Sequence, residues 1–164
     1  DHRDGASLAG WWDAGGDGDW LTAFRHIQGA EAWALHGDWV ALGEPMGAGV
    51  RSRFLAGRDV SVGAVARAVA VRERARRRLE AFLGDGTVLA IPAASGAAPL
   101  PSLAGPAKDD LRQRTLRLTC AAGLAGLPAV CAPVAAAPGG LPMGLCLLGA
   151  PWSDEELLAL GAAQ

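Results

Sequence analysis

Residues Arg112–Leu158, RQRTLRLTCAAGLAGLPAVCAPVAAAPGGLPMGLCLLGAPWSDEELL, place several structural signals in a fixed order. A helical stripe through Leu118 and Leu124 runs into Gly126-Leu127-Pro128, a combination that ends a helix and turns the chain. Ala129–Val134 is short, apolar and partly β-branched, as a buried strand should be. Pro138-Gly139-Gly140 sets up a hairpin-like reversal into a second strand, Met143–Leu148. Pro133 cannot donate to a ladder, which puts an edge or a strand end there. Ser153 followed by Glu156 has the spacing of a capping box and predicts a closing helix.

Upstream, a helical pattern begins at Asp19, with Trp20, Phe24, Ile27, Leu35 and Trp39 largely on one face and Ala23, Ala30 and Ala34 between them. Gly43, Pro45, Gly47 and Gly49 interrupt it. Arg51–Phe54 is expected to be a short helical turn, ended by Gly57. Ser61 is a good N-cap for a further helix, with Val62, Val65, Val69, Leu79, Phe82 and Leu83 as its core stripe. Gly84-Asp85-Gly86 is a turn, Thr87–Ile91 a buried strand, and Pro92–Pro106 a long Pro/Gly/Ala/Ser loop of the kind that is often functional. Asp109 or Asp110 is expected to cap a helix over Leu111–Ala125. Residues 1–18, rich in Gly and Asp around Trp11 and Trp12, are expected to form a loop or a disordered end.

These elements indicate an α/β layered fold. Three strands that are apolar on both faces make a thin sheet and call for more strands beside them. An exposed apolar edge near Leu89, Val130 and Leu145 is therefore expected. The chain opens on Asp1, not Met, and closes at Gln164 inside a helical pattern, so both ends are expected to be cuts in a longer protein.

The bulk properties narrow the function classes. The 164 residues suit one domain, which would bury about 70% of its unfolded surface. Apolar residues make up 51% and mean hydropathy is +0.20, so either the core is well packed or one face expects a partner. A net charge of −2 and a pI near 5.9 favour neither nucleic acid nor an anionic membrane as partner. The arginines of the 72–78 segment (Arg72, Arg74, Arg76, Arg77, Arg78) sit beside Glu73 and lack interleaved aromatics, so they are expected to be a solvated helix face. No apolar run reaches the length of a transmembrane helix. Cys120, Cys131 and Cys146 lack metal-ligand spacing and are expected to be buried free thiols, which fits a cytoplasmic setting.

Few side chains are placed for chemistry. Asp13–Asp19 resembles a calcium loop only superficially, because Gly15 and Phe24 stand where an EF-hand needs ligands. Gly5-Ala6-Ser7-Leu8-Ala9 misses the nucleophile elbow at its last position. His26 and His36 lie ten residues apart on one helix and point in different directions. Glu31, near the apolar side of its helix, is expected to pair with an arginine. Ser95 follows a strand end, where ligand groups gather in open α/β sheets. No metal or cofactor site is indicated.

Several segments resemble the amidase signature family, in order. Phe24-Arg25-x-x-Gln28-Gly29-x-Glu31-x-Trp33 with His36-Gly37-x-Trp39, and Arg51-x-Arg53-Phe54 with Gly57-Arg58-Asp59-Val60, are similar to bacterial and plant amidases of the indole-acetamide hydrolase type. Val88-Leu89-Ala90-Ile91-Pro92 resembles a family strand that ends in Pro-Thr. Gly123-Leu124-x-Gly126-Leu127-Pro128 and Gly140-Leu141-Pro142-x-Gly144-Leu145 are similar to the closing segments. The resemblance implies that residues 19–164 are the C-terminal part of an amidase domain, one portion of a mixed β-sheet flanked by helices. It implies amide hydrolysis by a Ser–Ser–Lys triad without a cofactor, yet this sequence has no Ser-Ser pair, and Lys108 falls in a polar stretch. No catalytic residue is therefore carried over, and the N-terminal half becomes an expected partner, beside a small-molecule amide substrate and a possible second copy of the chain. Pro92, Ala93, Ala94 and Ser95 match positions that border the substrate, with Ala93 standing where threonine is usual. A non-catalytic binding module and the A-type subunit of a glutamine-dependent amidotransferase are the alternatives.

Overall fold

A computed structural model describes residues 19–84, 86–134 and 140–163. The expectations for residues 1–18, Asp85 and the Pro138-Gly139 reversal lie outside them. The described residues form α1 (Trp20–Ala41), α2 (Ala48–Arg58), α3 (Val62–Leu83), β1 (Leu89–Pro92), α4 (Gly105–Ala125), β2 (Ala129–Val134), β3 (Met143–Leu148) and α5 (Asp154–Ala162). The fold is α/β, as expected. The chain divides into two compact units, the first ending at Arg74 and the second beginning at Ala75, and α3 belongs to both.

In the first unit, Asp19 caps α1 by accepting a hydrogen bond from Leu21 N at 3.0 Å. Trp20, Leu21, Ala23, Ile27 and Val40 are buried. The predicted stripe is only half right, since Leu35 is 77% exposed and Trp39 47%. Glu31 is also exposed, which removes the need for an internal pair. The predicted turn at Arg51–Phe54 is a full helix, α2, which runs through Gly57 instead of stopping there. Gly57 is a point of close approach: a Cβ on it would collide with the Gly29 carbonyl, and a Cβ on Gly29 would lie 3.1 Å from Gly57 Cα. Further along the pair the Arg51 guanidinium donates to Val40 O (3.2 Å), which also accepts from Gly43 N, and to Glu44 O (2.9 Å) just beyond α1. Phe54 meets the rings of His36 (6.0 Å) and Trp39 (6.5 Å) edge-on, and Arg58 lies 5.9 Å over Trp33.

Ser61 caps α3 as expected, its hydroxyl accepting from Ala64 N at 3.2 Å. Val62 is 87% exposed and leaves the predicted stripe, whereas Leu79 and Leu83 are fully buried. The arginine-rich segment is solvated only in part: Arg76 and Arg77 are exposed, Arg72, Arg74 and Arg78 are half-buried, and Arg72–Glu73 (3.5 Å) and Arg76–Glu80 (2.7 Å) form ion pairs.

The second unit holds a three-stranded antiparallel sheet in the order β1-β3-β2. Leu89 pairs with Leu148 and Pro92 with Leu145 on one side of β3, and Ala129 with Leu148 through Val134 with Met143 on the other. Both proline-bearing strands are thus outer strands of this sheet, where a missing N–H is tolerated. Pairing sets the faces. One carries Leu89, Ile91, Cys146 and Leu148, all buried. The other carries Val130, Ala132, Leu145 and Leu147, with α5 against it: a Cβ on Gly161 would sit 3.2 Å from Val130 Cγ1. The expected apolar edge is revised accordingly, because Leu89 is buried and Leu145 lies on the central strand. Exposure falls instead on β2, at Ala129, Cys131, Pro133 and Val134.

Three local expectations change. α4 starts at Gly105 with Pro106 in its first turn, so Asp110 lies inside the helix and pairs with Arg114 at 2.9 Å. Lys108 is likewise within α4 and exposed. Ser153 occupies the N-cap position of α5 but makes no capping bond; its ψ of 25° turns it from the extended cap geometry, and its hydroxyl donates to Ala150 O at 2.8 Å. Asp154, Glu155 and Glu156 supply the negative charge that the helix start favours. Cys120 and Cys146 are buried free thiols, but Cys131 is exposed because it lies on an outer strand. At the end of α4, Gly126 adopts φ +67° and Leu127 N donates back to Ala122 O, as the Gly-Leu-Pro signal implied.

Packing and burial each lead to a test. Alanine favours a helix over glycine by about 1 kcal/mol, but Gly57→Ala must also push apart the α1 and α2 backbones, and overpacking of this kind costs about 1–3 kcal/mol. The substitution is expected to lower stability in urea unfolding, and Gly29→Ala to lower it less. Burial, and then the neighbouring Cys131 thiol, push the Cys146 thiol from its ordinary 9.0 up to about 11. Above pH 9 the unfolded chain releases this proton while the folded chain keeps it, so stability should fall as pH rises from 9 towards about 11. Cys146→Ala should flatten that part of a stability–pH curve.

Candidate functional site

The end of β1 positions the residues singled out from the sequence. Ala93 N donates to Gly144 O at 2.9 Å, extending the β1–β3 ladder one residue past Pro92. Gly144 suits this approach, since a Cβ there would lie 3.0 Å from that of Ala93. The chain then bends, and Ser95 ties it to α4. Ser95 N donates to Thr115 Oγ1 (3.2 Å), its hydroxyl donates to Leu111 O (3.3 Å), and the two hydroxyls lie 3.1 Å apart.

This arrangement leaves an open depression of about 400 Å³ lined by Pro92, Ala94, Ser95, Arg114, Arg117, Leu118 and Met143. Three of the four sequence-selected residues are in its wall; Ala93 is not, its Cβ being turned towards Gly144. Sequence reasoning missed the α4 residues and Met143. The signal for the first group was helical spacing, as positions 114, 117 and 118 share a face. Met143 follows from register: Pro92 opposes Leu145, and Met143 lies two residues before Leu145, on the same face.

The chemistry available here is that of a wall, not of a reaction centre. Apolar atoms dominate the lining, and Arg114 and Arg117 add cationic character, with Arg114 already paired to Asp110. The Ser95 hydroxyl bonds to a carbonyl and a threonine hydroxyl, neither of which can take its proton. His26 and His36 belong to the first unit, and His36 is packed on Phe54. Among the described residues no group of three or more His, Cys, Asp or Glu side chains could hold a metal, and no helix is long and apolar enough to cross a membrane.

A second depression, of about 480 Å³, was not foreseen. Its walls include Leu83, Val88, Leu157 and Glu156, with Trp152 at its rim. Trp152 is 93% exposed and holds φ at +70°, a left-handed conformation unusual for a bulky residue.

The Amidase family model matches residues 41–158, which includes α2, α3, the whole sheet and the β1–α4 connection. The chain belongs to the Amidase family. A plant relative, the A-type subunit of the chloroplastic/mitochondrial glutamyl-tRNA(Gln) amidotransferase of Arabidopsis thaliana, is 36% identical over 129 residues, covering 73% of this chain and 24% of that protein. Among solved structures, an amidase superposes with a TM-score of 0.76 at 26% identity, covering 88% of this chain and 34% of the other. A vestigial protein complex, described as revealing the evolutionary origins of an s-triazine catabolic enzyme, gives 0.72 at 25% identity, covering 87% and 32%. The α/β arrangement is thus that of amidase structures, and this chain spans between about a quarter and a third of the length of the amidase relatives it matches.

The tie between the site loop and α4 can be tested directly. Thr115→Val keeps the side-chain shape but removes the oxygen that accepts from Ser95 N. It is expected to cost about 1 kcal/mol and to speed hydrogen exchange at the Ser95 amide. Unchanged exchange there would mean that the loop is held by other contacts.

Proposed function

We propose that residues 19–164 are the C-terminal part of a serine amidase that hydrolyses a carboxylic amide C–N bond. The preceding part of the domain supplies the Ser–Ser–Lys triad, so this chain alone is inactive. Pro92, Ala93, Ala94 and Ser95 border the substrate, with small apolar contacts predominating and no catalytic side chain among them. The substrate is a small amide, and the subtype is that of indole-acetamide hydrolases. The partners are the rest of the amidase domain and, in an oligomer, a second copy. The setting is the cytoplasm, which suits three free thiols. The observation that carries this reading is the Amidase match over 41–158 in a chain whose candidate site has a wall but no base.

A second reading has one observation in its favour, the 36% identity to the plant amidotransferase component. In that case the same wall would serve a glutamine amide, in company with other subunits.

The test compares this chain with the longer protein in which it continues a triad-bearing segment, on indole-3-acetamide, aryl acetamides and glutamine. The expected result is no turnover by the chain alone and hydrolysis of an aryl or indole acetamide by the longer protein. Turnover of glutamine only, dependent on added subunits, would transfer the assignment to the amidotransferase. Turnover by the isolated chain would refute the proposal.

A further inference from the structure

Cys131 and Cys146 face one another across β2 and β3. Whether their sulfur atoms can meet depends on which of the two kinds of antiparallel pair they form. Gly144 O accepts from Ala93 N, so the polar backbone groups of residue 144, and by alternation those of 146 and 148, point towards β1. Gly149 N donates to Pro128 O, so residues 145, 147 and 149 point towards β2. Pro133, opposite Gly144, agrees with this, because it has no N–H to offer. Cys131 and Cys146 are therefore a non-hydrogen-bonded pair. That is the narrow kind, with Cα atoms about 4.5 Å apart, inside the span of roughly 4.4–6.8 Å that a disulfide bridges. Both side chains lie on one face. Cys131 is exposed, Cys146 is 5% exposed, and Cys120 is buried on α4.

We propose that Cys131 and Cys146 form an oxidative modification site that reacts with low-molecular-weight disulfides and closes into a cross-strand disulfide. Cys131, the accessible member, reacts first. Its thiolate attacks one sulfur of glutathione disulfide, that S–S bond breaks, one glutathione thiolate leaves, and a mixed disulfide forms on Cys131. The Cys146 thiolate then attacks the Cys131 sulfur and expels the second glutathione thiolate. Two protein thiols are oxidised by two electrons, one glutathione disulfide is reduced, and the two thiol protons end on two glutathione molecules. Closure is the slow step, because burial holds the Cys146 thiol at about 11. Its rate should rise about tenfold per pH unit below that value, following the thiolate fraction.

The test incubates the full chain with glutathione disulfide at neutral pH and at mildly alkaline pH, quenches with acid, alkylates, and maps peptides by mass. The expected products are a transient adduct on Cys131 and then an intrachain Cys131–Cys146 link that forms faster at the higher pH, with Cys120 still alkylated. Cys146→Ala should stop at the adduct, and Cys131→Ser should take up no glutathione at Cys146. An adduct that persists on Cys131 in the unsubstituted chain at both pH values, or a Cys131–Cys131 link between chains as the main product, would overturn the proposal. The unsubstituted chain alone decides between these results, so a variant that fails to fold does not obscure them.

Discussion

The second unit depends on β3. It is the only one of the three strands paired on both sides, and its residues divide that work by parity: 144, 146 and 148 turn their backbone groups to β1, and 145 and 147 turn theirs to β2. A slip of one residue would exchange the two sets and reverse every side chain to the opposite face. The buried Leu148 and Cys146 would then change places with Leu147 and Leu145. The two prolines help to prevent such a slip. Pro133 tolerates only a position that needs no N–H towards β3, and Pro92 lies at the last pair of β1, where the loop to α4 departs. The candidate site is a consequence of that register, since Pro92 and Met143 come to one wall only because both stand on the Leu145 face.

In the first unit the comparable constraint is the contact between Gly29 and Gly57. The motif residues that carry the amidase resemblance there are spread along the same pair of helices. Gly37 leaves room for the Trp33 ring, which a Cβ would approach to 2.8 Å; Arg58 covers Trp33; Arg51 bonds one carbonyl at the end of α1 and one just beyond it; Phe54 packs on His36 and Trp39. These motif residues thus take part in the packing of two helices.

The elements legible in the sequence were those fixed by local rules. Ser61 as a cap, Gly126 in a left-handed end and the β2–β3 pairing all rest on a few neighbouring residues. The errors arose where a distant partner decides. Gly57 has the composition of a helix stop, but its use is to admit another backbone. Leu35 and Trp39 fit an apolar stripe, but exposure depends on what lies opposite, which periodicity does not encode. Cys131 and Cys146 have equally apolar surroundings in sequence, and only the strand order separates the exposed one from the buried one. Asp109 and Asp110 look like caps, yet Pro106 is already compatible with a first helical turn, so α4 starts before them. The site was half legible for the same reason: its loop is local, whereas Arg114, Arg117 and Leu118 reach it through the Ser95–Thr115 tie.

That tie also bears on what the wall can do. A serine nucleophile needs a free hydroxyl and a base within hydrogen-bond reach. Ser95 has its hydroxyl between Leu111 O and Thr115 Oγ1, and both of those atoms already have structural uses. The arginines beside it offer hydrogen-bond donors but no acceptor. What remains among the lining residues is shape, an apolar surface and positive charge at the margin. The proposed amide hydrolysis therefore needs reacting groups other than the lining residues of this depression.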